Sequence, residues 1–176
     1  MLKIIDTIKY FLLPLLIFWL ILLLEIGLFS RPSFFGHAPY LAFLFVFFFS
    51  FFVRQQETSP LFFSALAGGL VDVFSSFPFG VFTLSFFGLS LLVRRLSRLF
   101  DKKSALGFLL TFLGAFLFYR FFPFFAAKVF LLIFRQGINF HLNFHPVFFT
   151  LSFLVNLILG VVVFYLLCIV FKGEAA

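Results

Sequence analysis

Charge is what this chain has least of. Only 11% of its 176 residues are Asp, Glu, Lys or Arg, against roughly 25% in a soluble domain. The polar stretches between its apolar runs are too short to hold a soluble domain of ordinary size. A single cysteine, Cys168, excludes an internal disulfide and leaves the redox compartment undetermined. One Trp and four Tyr supply little material for the aromatic belts of membrane–water interfaces. The chain has no H-E-x-x-H, no P-loop, no dinucleotide fingerprint and no Ser/His/Asp set in recognisable context. Composition and motifs therefore both point away from an enzyme, and no cofactor is expected.

What the chain does have is phenylalanine, 38 residues of it, in a sequence that is 64% hydrophobic with a mean hydropathy of +1.25. This composition predicts an all-α polytopic membrane protein, one integral domain over 1–176, with about six transmembrane helices in one bundle. Phe is then mainly lipid-facing and packing material. Runs such as Phe47-Phe48-Phe49-Ser50-Phe51-Phe52, with a pI near 10.0, raise the alternative of a base-stacking surface. The aromatics lie inside the apolar runs and the basic residues at their ends, so no nucleic-acid partner is expected.

A helix needs about 20 apolar residues to cross roughly 30 Å of hydrocarbon. The apolar runs place spans at 10–29, 39–53, 60–76, 79–94, 104–122 and 147–171. Lys3 and Lys9 before the first run resemble a signal peptide, but that run is long and ends in Glu25, Ser30 and Arg31 without a small-x-small cleavage site. A retained first span is expected. Thr58-Ser59-Pro60 reads as a helix start, with Ser59 capping free amides and Pro60 at the first helical position. From Pro60 to Val93 the run would measure about 51 Å as one helix, too long for one crossing. A bend between Ser75 and Gly80 divides it into a tight hairpin. Arg120 and Pro123 are predicted to end the fifth span, leaving 124–135, with Lys128 and Arg135, as an interfacial or partly re-entrant helix.

Six spans put both termini on one side, together with Lys3, Lys9, Arg54, Arg94, Arg95, Arg98, Lys102, Lys103 and Lys172. Arg31, Arg120, Lys128 and Arg135 fall on the other. The positive-inside rule then places both termini in the cytoplasm. Counting the hairpin as one crossing gives five spans and separates the termini. No internal repeat of the inverted-transporter kind is visible.

Asp72 is the only charged residue between Pro60 and Val93. A carboxylate facing lipid costs roughly 2.5 to 3.5 kcal/mol on insertion scales, so Asp72 is expected to face protein or water. Gly68 and Gly69, four and three residues earlier, put two side-chain-free notches on the same helix face, and Pro78 and Gly80 punctuate the run. Asp72 then either binds a neighbouring helix or caps freed amides near the Ser75-Ser76 bend, or it contacts a partner or substrate. Helix rise places Glu25, Asp72 and Arg120 in the same outer half of the bundle, as an intramembrane polar cluster. Arg94, Arg95, Arg98, Lys102 and Lys103 form a basic cytoplasmic loop, each cation gaining roughly 1 kcal/mol beside anionic lipid; docking of a cytoplasmic partner is the other use of such a loop. His141 and His145, with His37 on the same side, raise the question of zinc. Asn139, Asn143 and Pro146 argue instead for an irregular polar connection, and no metal is expected.

From Gly68 to Gly80 the chain resembles the rod-shape-determining MreD family, whose members carry a glycine, three apolar residues, an aspartate and then a short turn with proline and glycine. Gly68, Asp72, Pro78 and Gly80 match, and Ser76 stands where the family commonly has glycine. The likeness extends to chain length, a charged loop before the motif and a basic run ending near Lys103. The resemblance implies a non-enzymatic component of the bacterial cell-elongation machinery in the cytoplasmic (inner) membrane. Its implied partners are an MreC-like membrane protein and, indirectly, the actin-like MreB and the peptidoglycan synthases of lateral wall growth. It also implies a bundle resembling the six-helix substrate-binding subunits of energy-coupling-factor transporters. Such a vitamin-transporter subunit is the alternative reading. Those subunits commonly carry small residues at four-residue spacing in the first helix, whereas Phe11 to Leu24 here contains no alanine or glycine, which favours the scaffold. A lipid-handling protein stays open, since Asp72, Glu25 and Arg120 are able to line a polar cavity.

Overall fold

The computed structural model describes residues 14–25, 27, 40–53, 57–75, 77–100, 104–134 and 146–172. These residues form six helices: α1 (Pro14–Glu25), α2 (Leu41–Phe52), α3 (Ser59–Phe74), α4 (Val81–Leu99), α5 (Ala105–Phe134) and α6 (Pro146–Lys172). Among the described residues one helix, Ala105–Ile133, is long and apolar enough to cross a membrane, and α1, α2, α3 and Thr150–Leu166 of α6 are shorter apolar helices.

The pairs α1/α2, α2/α5 and α5/α6 run antiparallel, as the side-chain contacts establish. Glu25 of α1 reaches the start of α2, while Phe18 meets Phe45. Along α2 and α5, Phe43 meets Phe116, Phe47 meets Phe112 and Phe51 meets Phe108. Along α5 and α6, Phe116 meets Phe153 and Phe108 meets Phe164. The bundle thus has a turn end, holding Glu25, Tyr40 and the α3–α4 connection, and a basic end, holding the last turns of α4.

The core is phenylalanine. Phe18, Phe43, Phe47, Phe51, Phe63, Phe86, Phe108, Phe112 and Phe116 are fully buried, and their rings meet edge-on or tilted more often than face to face, as in Phe18 with Phe63 and Phe47 with Phe112. That geometry suits the ring quadrupole. Because Phe has only two side-chain torsions to fix, it fills a large volume at modest entropic cost. A polar contact crosses this core, Ser50 Oγ donating to Ser90 Oγ at 2.9 Å between α2 and α4. The outward faces are equally apolar: Leu16, Leu20 and Leu24 on α1, Leu106, Leu113 and Leu117 on α5, and Ile158, Val162 and Leu166 on α6 are all exposed.

Several local expectations need correction. The run from Pro60 to Val93 does divide at 75–80, but α4 continues past Val93 to Leu99. Arg94, Arg95 and Arg98 therefore lie on its last turns and not in a loop. Leu92, Val93 and Leu96 keep the apolar periodicity going, arginine is a good helix former, and cations suit a helix C-terminus. Lys102 and Lys103 lie outside the described residues. Helix α5 does not stop at Phe122: it passes through Pro123 as one 30-residue helix, so 124–134 is no separate interfacial helix. A proline in a helix is tolerated where packing on neighbouring helices compensates for the lost hydrogen bond. Here Pro123 is buried, Phe124 meets Phe77, and Ala126 and Ala127 pack on Val81. Pro60 does sit in the first turn of α3, but Ser59 does not cap it; its hydroxyl donates to Glu57 at 3.3 Å.

Candidate functional site at the α3–α4 turn

Helix α3 ends where the Ser75 amide and hydroxyl both turn back to the Asp72 carbonyl, at 3.3 and 3.2 Å. Six residues later α4 begins at Val81, preceded by Gly80, which holds φ +101°, a conformation that glycine adopts without the steric cost of a side chain. Glycine has no side chain with which to cap the helix. The capping comes from across the turn.

The Asp72 carboxylate accepts four hydrogen bonds from the start of α4. Oδ1 takes the Phe82 amide at 2.8 Å; Oδ2 takes the amides of Gly80 at 3.0 Å and Thr83 at 2.9 Å and the Thr83 hydroxyl at 2.7 Å. The Val81 amide donates to the Pro78 carbonyl at 3.2 Å. The first amides of α4 have no partners within the helix, and together these bonds satisfy the first three. They also set a negative charge at the positive end of the helix dipole. Asp72 is 4% exposed, which a carboxylate sustains only when its lone pairs are satisfied.

One turn before Asp72, Gly68 lets the two backbones touch. A β-carbon built there would lie 2.5 Å from the Thr83 Cα and clash with the Phe82 carbonyl. These are backbone atoms, which cannot swing aside. At Gly69 the nearest atom to such a β-carbon is the Thr83 hydroxyl at 3.7 Å, an ordinary contact. The two glycines therefore have different roles. Gly68 sets the spacing that brings Asp72 within reach of α4, and Gly69 tolerates a side chain. The far half of α5 covers the turn, with the Phe124 ring against Phe77 and the Phe130 ring beside Gly80.

Glu25 and Arg120 sit elsewhere at the turn end. Glu25 Oε2 accepts the Ala42 amide at 2.8 Å, Asn156 Oδ1 accepts the Tyr40 amide at 2.8 Å, and Arg120 donates to the Tyr40 hydroxyl at 3.1 Å. No hydrogen bond or ion pair joins any two of Glu25, Asp72 and Arg120 among the described residues. Asp72 clasps α4, whereas Glu25 and Asn156 clasp the start of α2, which Arg120 also reaches through the Tyr40 hydroxyl.

Asn156 was not singled out in the sequence, although the rule that picks out Asp72 applies to it. It is fully buried in the long apolar run of α6, and a polar side chain there needs partners. It finds two, since its amide nitrogen also donates to the Ser152 carbonyl at 2.8 Å. His37, His141 and His145 lie outside the described residues.

In comparisons with known proteins, the chain matches no family model, no curated protein and no solved structure.

Proposed function

We propose that this chain is a non-enzymatic membrane scaffold of the bacterial cell-elongation machinery, maintaining rod shape by linking an MreC-like membrane protein and the MreB filament to lateral peptidoglycan synthesis. The observation that carries the reading is the Gly68-to-Gly80 motif. Its residues that match the MreD pattern act together as one device, in which Gly68 gives close approach, Gly80 the left-handed turn and Asp72 the clasp on α4. Asp72, Glu25 and Asn156 spend their oxygens on this chain's own helix starts, a use that suits a rigid framework. Large side chains, among them Leu16, Trp19, Leu20 and Leu23, form the exposed face of α1, and this favours the scaffold over a transporter subunit that docks through small residues.

The scaffold is multi-pass, six spans with both termini in the cytoplasm, and lies in the bacterial inner membrane. Support comes from the apolar outward faces of α1, α5 and α6, where large side chains such as Leu20, Leu106 and Ile158 stand exposed. It comes also from Arg94, Arg95 and Arg98 gathered at one end of α4, where anionic lipid headgroups are the natural counter-charge. Reporter fusions at Lys172 and within the 137–146 connection test the topology; a periplasmic signal at Lys172 rules it out. Co-purification with a single-span membrane protein encoded beside it tests the scaffold role. Purified protein carrying a stoichiometric vitamin and no such partner establishes the transporter subunit in its place.

A further inference from the structure

Helix α2 is shielded by α3, α4 and α5 on its inward side, but its opposite face lines a slot between α1 and α6. The slot has a volume of about 540 Å3 and is bounded by Ile21, Leu44, Phe48, Phe52, Leu159 and Val163 among others, all of them apolar. We infer that this slot holds one hydrocarbon chain of a membrane lipid. The inference rests on the bundle lying in a bilayer and is independent of the scaffold role.

Dimensions select the occupant. The lining follows α2 from Leu41 to Val53, about 18 Å of helix rise. An extended hydrocarbon chain advances about 1.3 Å per carbon–carbon bond, so the slot accommodates a run of about 14 carbons, close to an ordinary acyl chain.

Burial leads to the same occupant. None of the lining residues is exposed, and Leu44 and Phe48 are only 6% and 8% accessible, although Leu24 on α1 and Ile158 on α6 beside them are wide open. The surface still free inside the slot is a small fraction of the roughly 800 Å2 per partner that a stable protein interface buries. A second copy of the chain or a partner helix would gain little there. A flexible apolar chain follows the length of the slot and needs no polar partner from the lining.

Native mass spectrometry of the detergent-purified, delipidated chain incubated with dipalmitoyl phosphatidylethanolamine tests this. Wild type is expected to retain one phospholipid per chain. Leu159→Trp and Val163→Trp, which fill the slot, are expected to lower occupancy at least about ten-fold, while Ile158→Trp on the open face leaves it unchanged. Equal retention by the slot variants at matched thermal stability overturns the inference. Should both variants fail to fold, a diazirine-bearing palmitoyl lipid cross-linked to wild type decides. Adducts at Leu44, Phe48 or Leu159 support the slot, and adducts confined to the open α5 face at Leu106 and Leu113 refute it.

Discussion

The start of α4 is held by one residue, Asp72, only 8 to 11 residues away in sequence. The start of α2 is held by two residues, Glu25 at a separation of 17 and Asn156 at 116. Both clasps solve the same problem, a helix N-terminus whose first amides have no partner within the helix. The first closes as soon as the hairpin forms, because little chain entropy separates acid from amides. The second is complete only when α6 has docked against α2. The α4 clasp therefore shapes a local element, whereas the α2 clasp reports that the bundle has assembled. Glycine makes the same distinction: Gly68 permits backbone contact beside the local clasp, and the distant one relies on the reach of longer side chains.

The sharpest break in this comparison is Asp72→Leu. It leaves three amides and a hydroxyl without their acceptor, at about 1–3 kcal/mol for each buried group left unpaired, and should cost at least about 3 kcal/mol in unfolding measured in detergent micelles. Asp72→Asn keeps one side-chain oxygen and should lose less. If the scaffold role holds, rod shape at matched membrane abundance should follow the same order. Next comes Gly68→Ala, where the added methyl forces α3 from α4 at about 1–3 kcal/mol. Gly69→Ala should be neutral or stabilising by about 0.5–1 kcal/mol, since alanine is the better helix former and space exists. Equal losses at the two positions would remove the assigned roles.

The distant clasp should yield smaller and coupled effects. Asn156→Leu and Glu25→Leu each strand one amide, at about 1–3 kcal/mol, and because both hold the same helix start their combination should fall short of the sum. Full additivity would mean that the two act on independent elements. Glu25→Gln, which keeps an acceptor for the Ala42 amide, should be the mildest change at this clasp.

The local clasp was legible in the sequence because Gly68, Asp72, Pro78 and Gly80 lie within thirteen residues, and a lone acid in an apolar run calls for partners. The identity of those partners was not. The sequence allows a neighbouring helix or the freed amides near the Ser75-Ser76 bend; the start of α4 is that neighbouring helix, while Ser75 serves the end of α3. The hairpin division follows from length together with the punctuation by Pro78 and Gly80. Glu25 and Arg120 were placed at the correct end of the bundle, yet grouping them with Asp72 assumed that charges seek charges; each instead found a backbone amide or a tyrosine hydroxyl. Pro123 and the arginines of α4 fail as helix ends for different reasons, the arginines because they are good helix formers that suit a helix C-terminus. Proline marks a helix end only where tertiary packing does not override it, and here Val81 with Ala126 and Ala127 carries α5 onward. Although no sequence repeat is visible, the first two hairpins share one device, an acid near the end of one helix capping the start of the next.

Amide hydrogen exchange at Gly80, Phe82 and Thr83, compared between wild type and Asp72→Asn, tests the central claim that the Asp72 carboxylate clamps the start of α4. The account predicts slow exchange at all three in wild type and at least about ten-fold faster exchange in the variant, the equivalent of about 1.4 kcal/mol of lost protection, with the amides of α2 unaffected. Identical exchange in the two proteins, or acceleration spread evenly over the bundle, would contradict it.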